Sequence, residues 1–292
     1  MTGLSKTALA RRHKYLGASD VPAVIGVSPW QSASDVYYKK VAEFEKEEKM
    51  TKAMEAGIRC EPVLLDFAEE RLGKIRRNQF RVHPDVPWAS ATLDAICIDR
   101  ANEGVEAKTA RNPQHWGEEG TDQIPIYYLA QVQWQMYITG FSVIHVPLMT
   151  FDFGFEFRMY TVERDEAVIE SIVASCTAFW EENVLKKHPP KDTIPAPTIV
   201  QNMKRVPEKV TTVDEILVRE YKEATEALKL AKKAQQDAKT RMLEDLGDAE
   251  VGKYSGGVIN YFQRSRKGHT VKVKPSTYRS LEIKEGDGDD LE

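Results

Sequence analysis

The chain has 292 residues, 41% of them apolar and 29% charged, with 41 basic against 45 acidic side chains and a formal net charge of -4. That length and apolar content support one large or two modest globular domains. The near balance of charge excludes the uniformly basic character of a sequence-independent DNA coat but leaves a local basic groove open.

The three cysteines, Cys60, Cys97 and Cys176, have no paired spacing. They speak against a zinc site or a disulfide framework and for small core residues in a reducing compartment. The opening MTGLSKTALARRHKYLG lacks the continuous apolar core of a signal peptide, and no run approaches bilayer-spanning length. The expectation is a cytoplasmic protein without membrane contact.

In chain order, RRHKYLGASDVPAVIGVSPW (11–30) sets Ser19 as an N-cap, with Asp20 in the first turn of an apolar helix. Helix N-termini bind phosphate through free amides, and Arg12 precedes Ser19 closely enough to return to the same spot. A plain cap is the other reading of Ser19. Trp30, after Ser28-Pro29, is open to stacking on a base or to packing the turn.

Helices are expected over 34–47, 54–72, 127–139 and 164–185, and strands over 78–83, 90–99, 104–110, 142–150 and 155–162. Consecutive strands flanked by helices make an α/β (α+β) mixed-sheet core. In the second helix Ile58, Leu65, Ala68 and Leu72 share one face. Glu61 stands just before Pro62, where a bend would turn it toward the sheet; an acid favoured by the helix dipole is the alternative.

The stretch GVEAKTA (104–110) puts Glu106 and Lys108 on one strand face, because side chains alternate. Asp94, in ATLDAI, lies across a polar, glycine-containing turn, so antiparallel pairing brings it to Glu106 with Lys108 beside them. Hard cations take oxygen ligands, commonly one or two carboxylates with water and phosphate, so Asp94 and Glu106 suit Mg2+ or Mn2+. A second ion about 3.5–4 Å away would stabilise a leaving oxygen. Lys108 is then placed to orient or deprotonate water, or to neutralise developing charge. A cross-strand salt bridge worth at most about 1 kcal/mol is the alternative. Further on, the helix IPIYYLAQVQWQMYITG sets Tyr128, Gln131 and Gln135 on one side. Gln131 is open to a solvated face or to a hydrogen bond with water or phosphate.

The proline-rich segment 186–209 has the composition of a linker or surface strap. The resulting scheme is a core over 1–190, a linker over 191–212, a helical and hairpin appendage over 213–284 and an acidic tail over 285–292. The appendage helix runs to Gly247, about 50 Å long at 1.5 Å per residue. It is followed by VINYFQRSRKGHTVKVKP, a hairpin around the Lys-Gly turn. Arg264, Arg266, Lys267, Lys272 and Lys274 make that hairpin basic, suited to phosphate contact or to a solvated face.

The blocks GASDVPAVIGVSPWQSASDVYYKK, GIRCEPVLLDFAEERLG, ATLDAI, VEAKTA and IPIYYLAQVQWQMYITG, in this order, resemble the YqaJ-like viral recombinase and phage lambda exonuclease family. The resemblance covers about 11 to 185. It implies a restriction-endonuclease-like core, magnesium-dependent 5′-to-3′ digestion of one strand of linear duplex DNA, a single-strand annealing partner and a trimeric ring. Carried over, it makes Asp94, Glu106 and the Ala107 carbonyl the metal ligands, Lys108 the catalytic lysine and Glu61 the helix acid near the second metal. Gln131 becomes the helix glutamine of the site, and Arg12 with Ser19 the pocket for a terminal 5′-phosphate. Leu93 departs from the pattern, which has proline there. An endonuclease on the same core and a catalytically inactive DNA-end-binding protein are the rival readings.

Overall fold

The computed structural model describes residues 13–44, 50–151 and 154–264. The chain divides after Pro207 into two compact units.

The first unit is built on a mixed sheet. A four-residue helix α1 (Val21–Val24) and α2 (Ala33–Val41) precede the long helix α3 (Lys52–Leu72). The strands β1 (Ile75–Val82), β2 (Ser90–Cys97), β3 (Glu103–Val105) and β4 (Lys108–Ala110) follow. Helix α4 (Ile126–Thr139) then crosses over to β5 (Val143–Thr150), and β6 (Glu156–Glu163) leads into α5 (Glu166–Ala178). A π-helical stretch, Phe179–Leu185, continues α5 to the end expected from the sequence.

Strands β1, β2 and β3 are antiparallel neighbours, while β3 and β4 both run parallel to β5. Strand β6 pairs antiparallel along all of β5, so β3 and β4 share the opposite edge of β5. A parallel neighbour needs a crossover connection, which α4 supplies. Sequence alternation placed these strands within a few residues, with one difference. The stretch 104–110 is not one strand: it breaks at Glu106 and Ala107. Glu103 pairs with Val143 and Lys108 with Leu148, an unchanged offset, so only the contact with β2 is lost at the break.

Helix α4 is buried nearly all round, with Ala130, Val132, Trp134, Met136 and Ile138 in the core beside Ile144, Val146 and Tyr160. Each of the larger of these side chains contributes about 1.5–3 kcal/mol by leaving water. The Trp134 indole donates to the Ser90 carbonyl at 3.0 Å, so its one polar atom is satisfied. Leu93 is fully buried, and a Cβ on Gly104 would stand 2.7 Å from it and 3.3 Å from Phe141, so the strands meet there only because residue 104 is glycine.

Helix α3 starts at Thr51, which caps the Met54 amide at 3.1 Å, and ends at Gly73, whose φ of 87° suits glycine. Its second half buries Leu64, Leu65, Ala68 and Leu72. Ile58, expected on the same face, is 51% exposed, because the first half of α3 overhangs a cavity instead of the core. Helix α2 ends at Val41, earlier than expected; residues 45–49 lie outside the described residues. Cys97 and Cys176 are buried, and Cys60 is half-buried.

The proline-rich segment is fastened to this unit as far as Pro207. Asp35, in a capping box with Ser32, also accepts the Ala196 amide at 2.6 Å. Ser34 donates to the Thr193 carbonyl at 2.7 Å, and the Lys204 amide to the Glu43 carbonyl at 2.7 Å. A short helix α6 (Pro197–Asn202) lies between these ties.

In the second unit, helix α7 (Glu215–Leu246) is one uninterrupted element of 32 residues with none buried. It is capped by Asp214 on the Ile216 amide at 2.8 Å. A hairpin of β7 (Val251–Tyr254) and β8 (Gly257–Asn260) follows. Residues 258–260, expected to pair forward across Lys267-Gly268, pair back onto β7 instead, where Gly256 and Gly257 permit the tight turn. Of the basic residues, Arg264 is exposed, while Arg266, Lys267, Lys272 and Lys274 lie outside the described residues. Among the described residues no helix is long and apolar enough to cross a membrane.

Candidate functional site

The break between β3 and β4 creates the site. Where β3 would continue along β2, the Ala107 amide donates to Asp94 Oδ2 at 2.8 Å. The Glu106 amide still donates to the His145 carbonyl of β5 at 3.0 Å. The chain thus stays on β5 while opening a gap toward β2. Asp94, Glu106, Ala107, Lys108 and Thr109 line that gap, together with Glu61, Leu64, Gly57 and Met54 from α3 and Tyr128 from α4. The cavity measures about 380 Å³.

Glu106 is 4% exposed and fully engaged. Its Oε1 accepts from Lys108 Nζ at 2.6 Å and from Gln131 Nε2 at 2.6 Å. Its Oε2 accepts from Gln135 Nε2 at 2.7 Å. Gln131 Oε1 accepts in turn from Lys108 Nζ at 3.1 Å, closing a three-membered ring of bonds. The ammonium also lies 4.8 Å from the Tyr128 ring centroid, within cation–π range. Gln131 and Gln135 reach the same carboxylate because residues four apart share one helix face. Gln133, between them, points elsewhere and ties Glu163 to Asp165 at the start of α5.

Burial, then the nearby Glu106 and Glu61, hold the Asp94 carboxyl well above the usual carboxylate range, against the pull of Lys108 and the Ala107 amide. Burial and Glu106 raise Glu61 as well. Burial alone would lower the Lys108 ammonium, but Glu106 and Asp94 outweigh it and push it above its ordinary value. Lys108 is the one cation among the residues lining the cavity, so three acids share one positive charge.

That deficit, with oxygen donors on Asp94, Glu61 and Glu106, fits a hard divalent cation. Among the described residues no three His, Cys, Asp or Glu side chains stand in metal-binding geometry. In the present arrangement Lys108, Gln131 and Gln135 take both oxygens of Glu106, and one or two carboxylates are enough for magnesium.

Of the sequence-derived set, Asp94, Glu106, Ala107, Lys108 and Glu61 therefore line one cavity, and Gln131 is bonded to Lys108 and Glu106 beside it. Ser19 does not join it as an N-cap: Asp20 takes the cap position of α1, its Oδ2 held by Lys40 at 2.6 Å and the Gly17 amide at 3.1 Å. Ser19 is exposed in the preceding turn, and Arg12 lies outside the described residues. Trp30 is 67% exposed and sits edge-on to Tyr127, at 4.7 Å between centroids. Gln135 and Tyr128, which the sequence set on the same side of the helix as Gln131 without a role, also join the site. Their signal was a polar pair on one face of an otherwise apolar helix.

A mixed sheet with a parallel crossover, a carboxylate pair and a lysine at a strand break defines a restriction-endonuclease-like core. A family model, that of the YqaJ-like viral recombinase domain, matches residues 9–142. The chain is 26% identical over 180 residues to the uncharacterized protein YqaJ of Bacillus subtilis (strain 168), covering 61% of this chain and 56% of that protein. The chain thus spans little more than half the length of that relative. The crystal structure of the alkaline exonuclease LHK-Exo in complex with dAMP is similar at a TM-score of 0.50 and 18% identity, over 63% of this chain and 94% of that one. A second crystal structure of an alkaline exonuclease (LHK-Exo), from Laribacter hongkongensis, gives 0.48 and 18%, over 61% and 92%.

Proposed function

We propose that the chain is a divalent-metal-dependent deoxyribonuclease, acting in the cytoplasm, that digests one strand of linear duplex DNA 5′ to 3′ and leaves single-stranded tails for recombination by strand annealing. The observation that carries this reading is the Lys108–Glu106–Gln131 ring facing Asp94 and Glu61 across one cavity. The family match and the shared fold support it.

Asp94, Glu106 and the Ala107 carbonyl, with Glu61 beside them, would hold one or two magnesium or manganese ions. When bound, these would stabilise charge on the scissile phosphate and acidify a water. Lys108, kept protonated by its acidic neighbours, donates to the phosphate oxygen that gains charge in the transition state. Gln131 and Gln135 fix the Glu106 carboxylate in one orientation, and the Tyr128 ring limits the freedom of the ammonium. Arg12 and Ser19 receive the terminal 5′-phosphate, and Arg264, Arg266 and Lys267 contact the DNA backbone. A trimeric ring and an annealing protein complete the reading.

The test is a time course on end-labelled linear duplex with magnesium or with chelator, on 5′-phosphate and 5′-hydroxyl ends, and on a covalently closed circle. Metal-dependent release of mononucleotides from 5′-phosphorylated ends is expected. Cutting of the closed circle would make the protein an endonuclease, and binding of ends without hydrolysis would make it an end-binding module.

A further inference from the structure

A second cavity, of about 290 Å³, adjoins the catalytic one, with Thr109 and Tyr128 lining both. Trp30, Tyr127, Trp116, Arg111, Asn112 and His115 are among its other lining residues. The aromatic rings form one continuous set: Trp30 lies edge-on to Tyr127, Tyr127 edge-on to Tyr128 at 4.5 Å, and Trp116 tilted against Tyr128 at 5.6 Å. Trp116 is anchored from behind by Tyr160, at 5.0 Å.

Trp30 is held in place without being buried. The Ser28 hydroxyl accepts the Trp30 and Gln31 amides at 3.2 and 3.3 Å and fixes the turn, yet 67% of the residue meets solvent. Arg111 continues the chain from β4 immediately after Ala110, so the strand that brings Lys108 to one cavity brings a guanidinium to the next. Among the described residues no carboxylate pairs with Arg111.

We propose that this second cavity is a nucleobase subsite. It takes the base of a single-stranded nucleotide adjoining the scissile phosphodiester, stacked on Trp30, with Arg111 on the flanking phosphate. The face of any base satisfies such a platform, so the subsite is tolerant of sequence. This inference rests on the nuclease reading, which supplies the strand that crosses from one cavity to the other.

The experiment combines Trp30→Ala with substrates carrying an abasic nucleotide at each position next to the cut in turn. The full-length protein is assayed for steady-state hydrolysis in magnesium and for oligonucleotide binding in calcium. With intact substrate, Trp30→Ala is expected to raise KM and weaken binding about tenfold, with an unchanged melting temperature. Trp30→Phe should recover most of the loss. At one position the abasic substrate should lose the same factor with the wild-type protein and nothing further with Trp30→Ala. Independent, multiplying losses at every position, or unchanged binding by Trp30→Ala in a protein that cleaves DNA, would overturn the subsite and leave the nuclease standing. Coupled losses in binding without any hydrolysis would keep the subsite and remove the nuclease. Neither binding nor hydrolysis by the wild-type protein would remove both.

Discussion

The Asp94 carboxylate accepts the backbone N–H of Ala107 at 2.8 Å, at the point where the edge of β3 leaves β2. A side chain thus does at this position what a neighbouring strand would otherwise do, and the opened backbone forms a wall of the cavity. The bond also ties Asp94 to the strand segment that carries Glu106 and Lys108.

Replacing Lys108 by alanine is expected to lower metal-dependent hydrolysis of linear duplex by about 10²–10³-fold, the usual cost of losing one group that stabilises transition-state charge. Circular dichroism and a cooperative melt should show that the variant is folded. Undiminished digestion by purified Lys108→Ala would remove the lysine from the chemistry.

Stability should respond to pH in a direction fixed by Asp94. Its carboxyl is raised in the folded state, so the folded protein binds the proton more tightly than the unfolded chain. In chelator, the stabilisation is complete below the ordinary carboxylate range and is lost as pH rises from there through the raised folded value. One such group gives a slope of at most about 1.4 kcal/mol per pH unit. Asp94→Asn should flatten that slope and melt higher than wild type in chelator at neutral pH. Thermal melts across pH, with and without magnesium, decide it, and an unchanged slope in the variant would contradict the assignment.

The two glutamines should separate by burial. Gln135 is fully buried and donates both to Glu106 Oε2 and to the Thr92 carbonyl at 3.0 Å, leaving its own Oε1 without a partner. Gln135→Leu leaves two buried acceptors short of a donor and should cost about 1–3 kcal/mol in urea unfolding. Gln131→Leu, at a half-buried position bonded to Lys108 and Glu106, should cost less stability and more activity. The reverse order would show that Gln131 is the structural member of the pair.

The strap over 193–204 offers a test away from the site. Asp35→Ala removes an N-cap acceptor and the partner of the Ala196 amide, for an expected loss of about 1–2 kcal/mol. Limited proteolysis should then cut faster between 190 and 207. Equal cutting of variant and wild type would mean that the segment is held by other contacts.

Much of this was legible in the sequence, and the exceptions have physical causes. Strand alternation located β1, β2, β5 and β6, and the spacing of Asp94, Glu106 and Lys108 anticipated their convergence. The break at Glu106 and Ala107 was not legible, because it depends on a side chain competing for a backbone amide across the sheet. Ser19 misled because serine and aspartate are both good caps, and Lys40, distant in sequence, joins the Gly17 amide in holding Asp20. Ile58 misled because helical spacing marks a face but not whether core or cavity lies beneath it. Gln135 was visible as a polar residue on an apolar helix, but its two acceptors come from different strands.

The contact between Leu93 and Gly104 ties together two positions that neither bind nor react. The leucine fills space that any side chain at 104 would need, with Phe141 closing the other side. In descendants of this chain the two positions are therefore expected to drift as a pair. Residue 104 is free to enlarge only after residue 93 has shrunk, and a lineage that took the steps in the opposite order would pass through a misfitted sheet beside its own cleft.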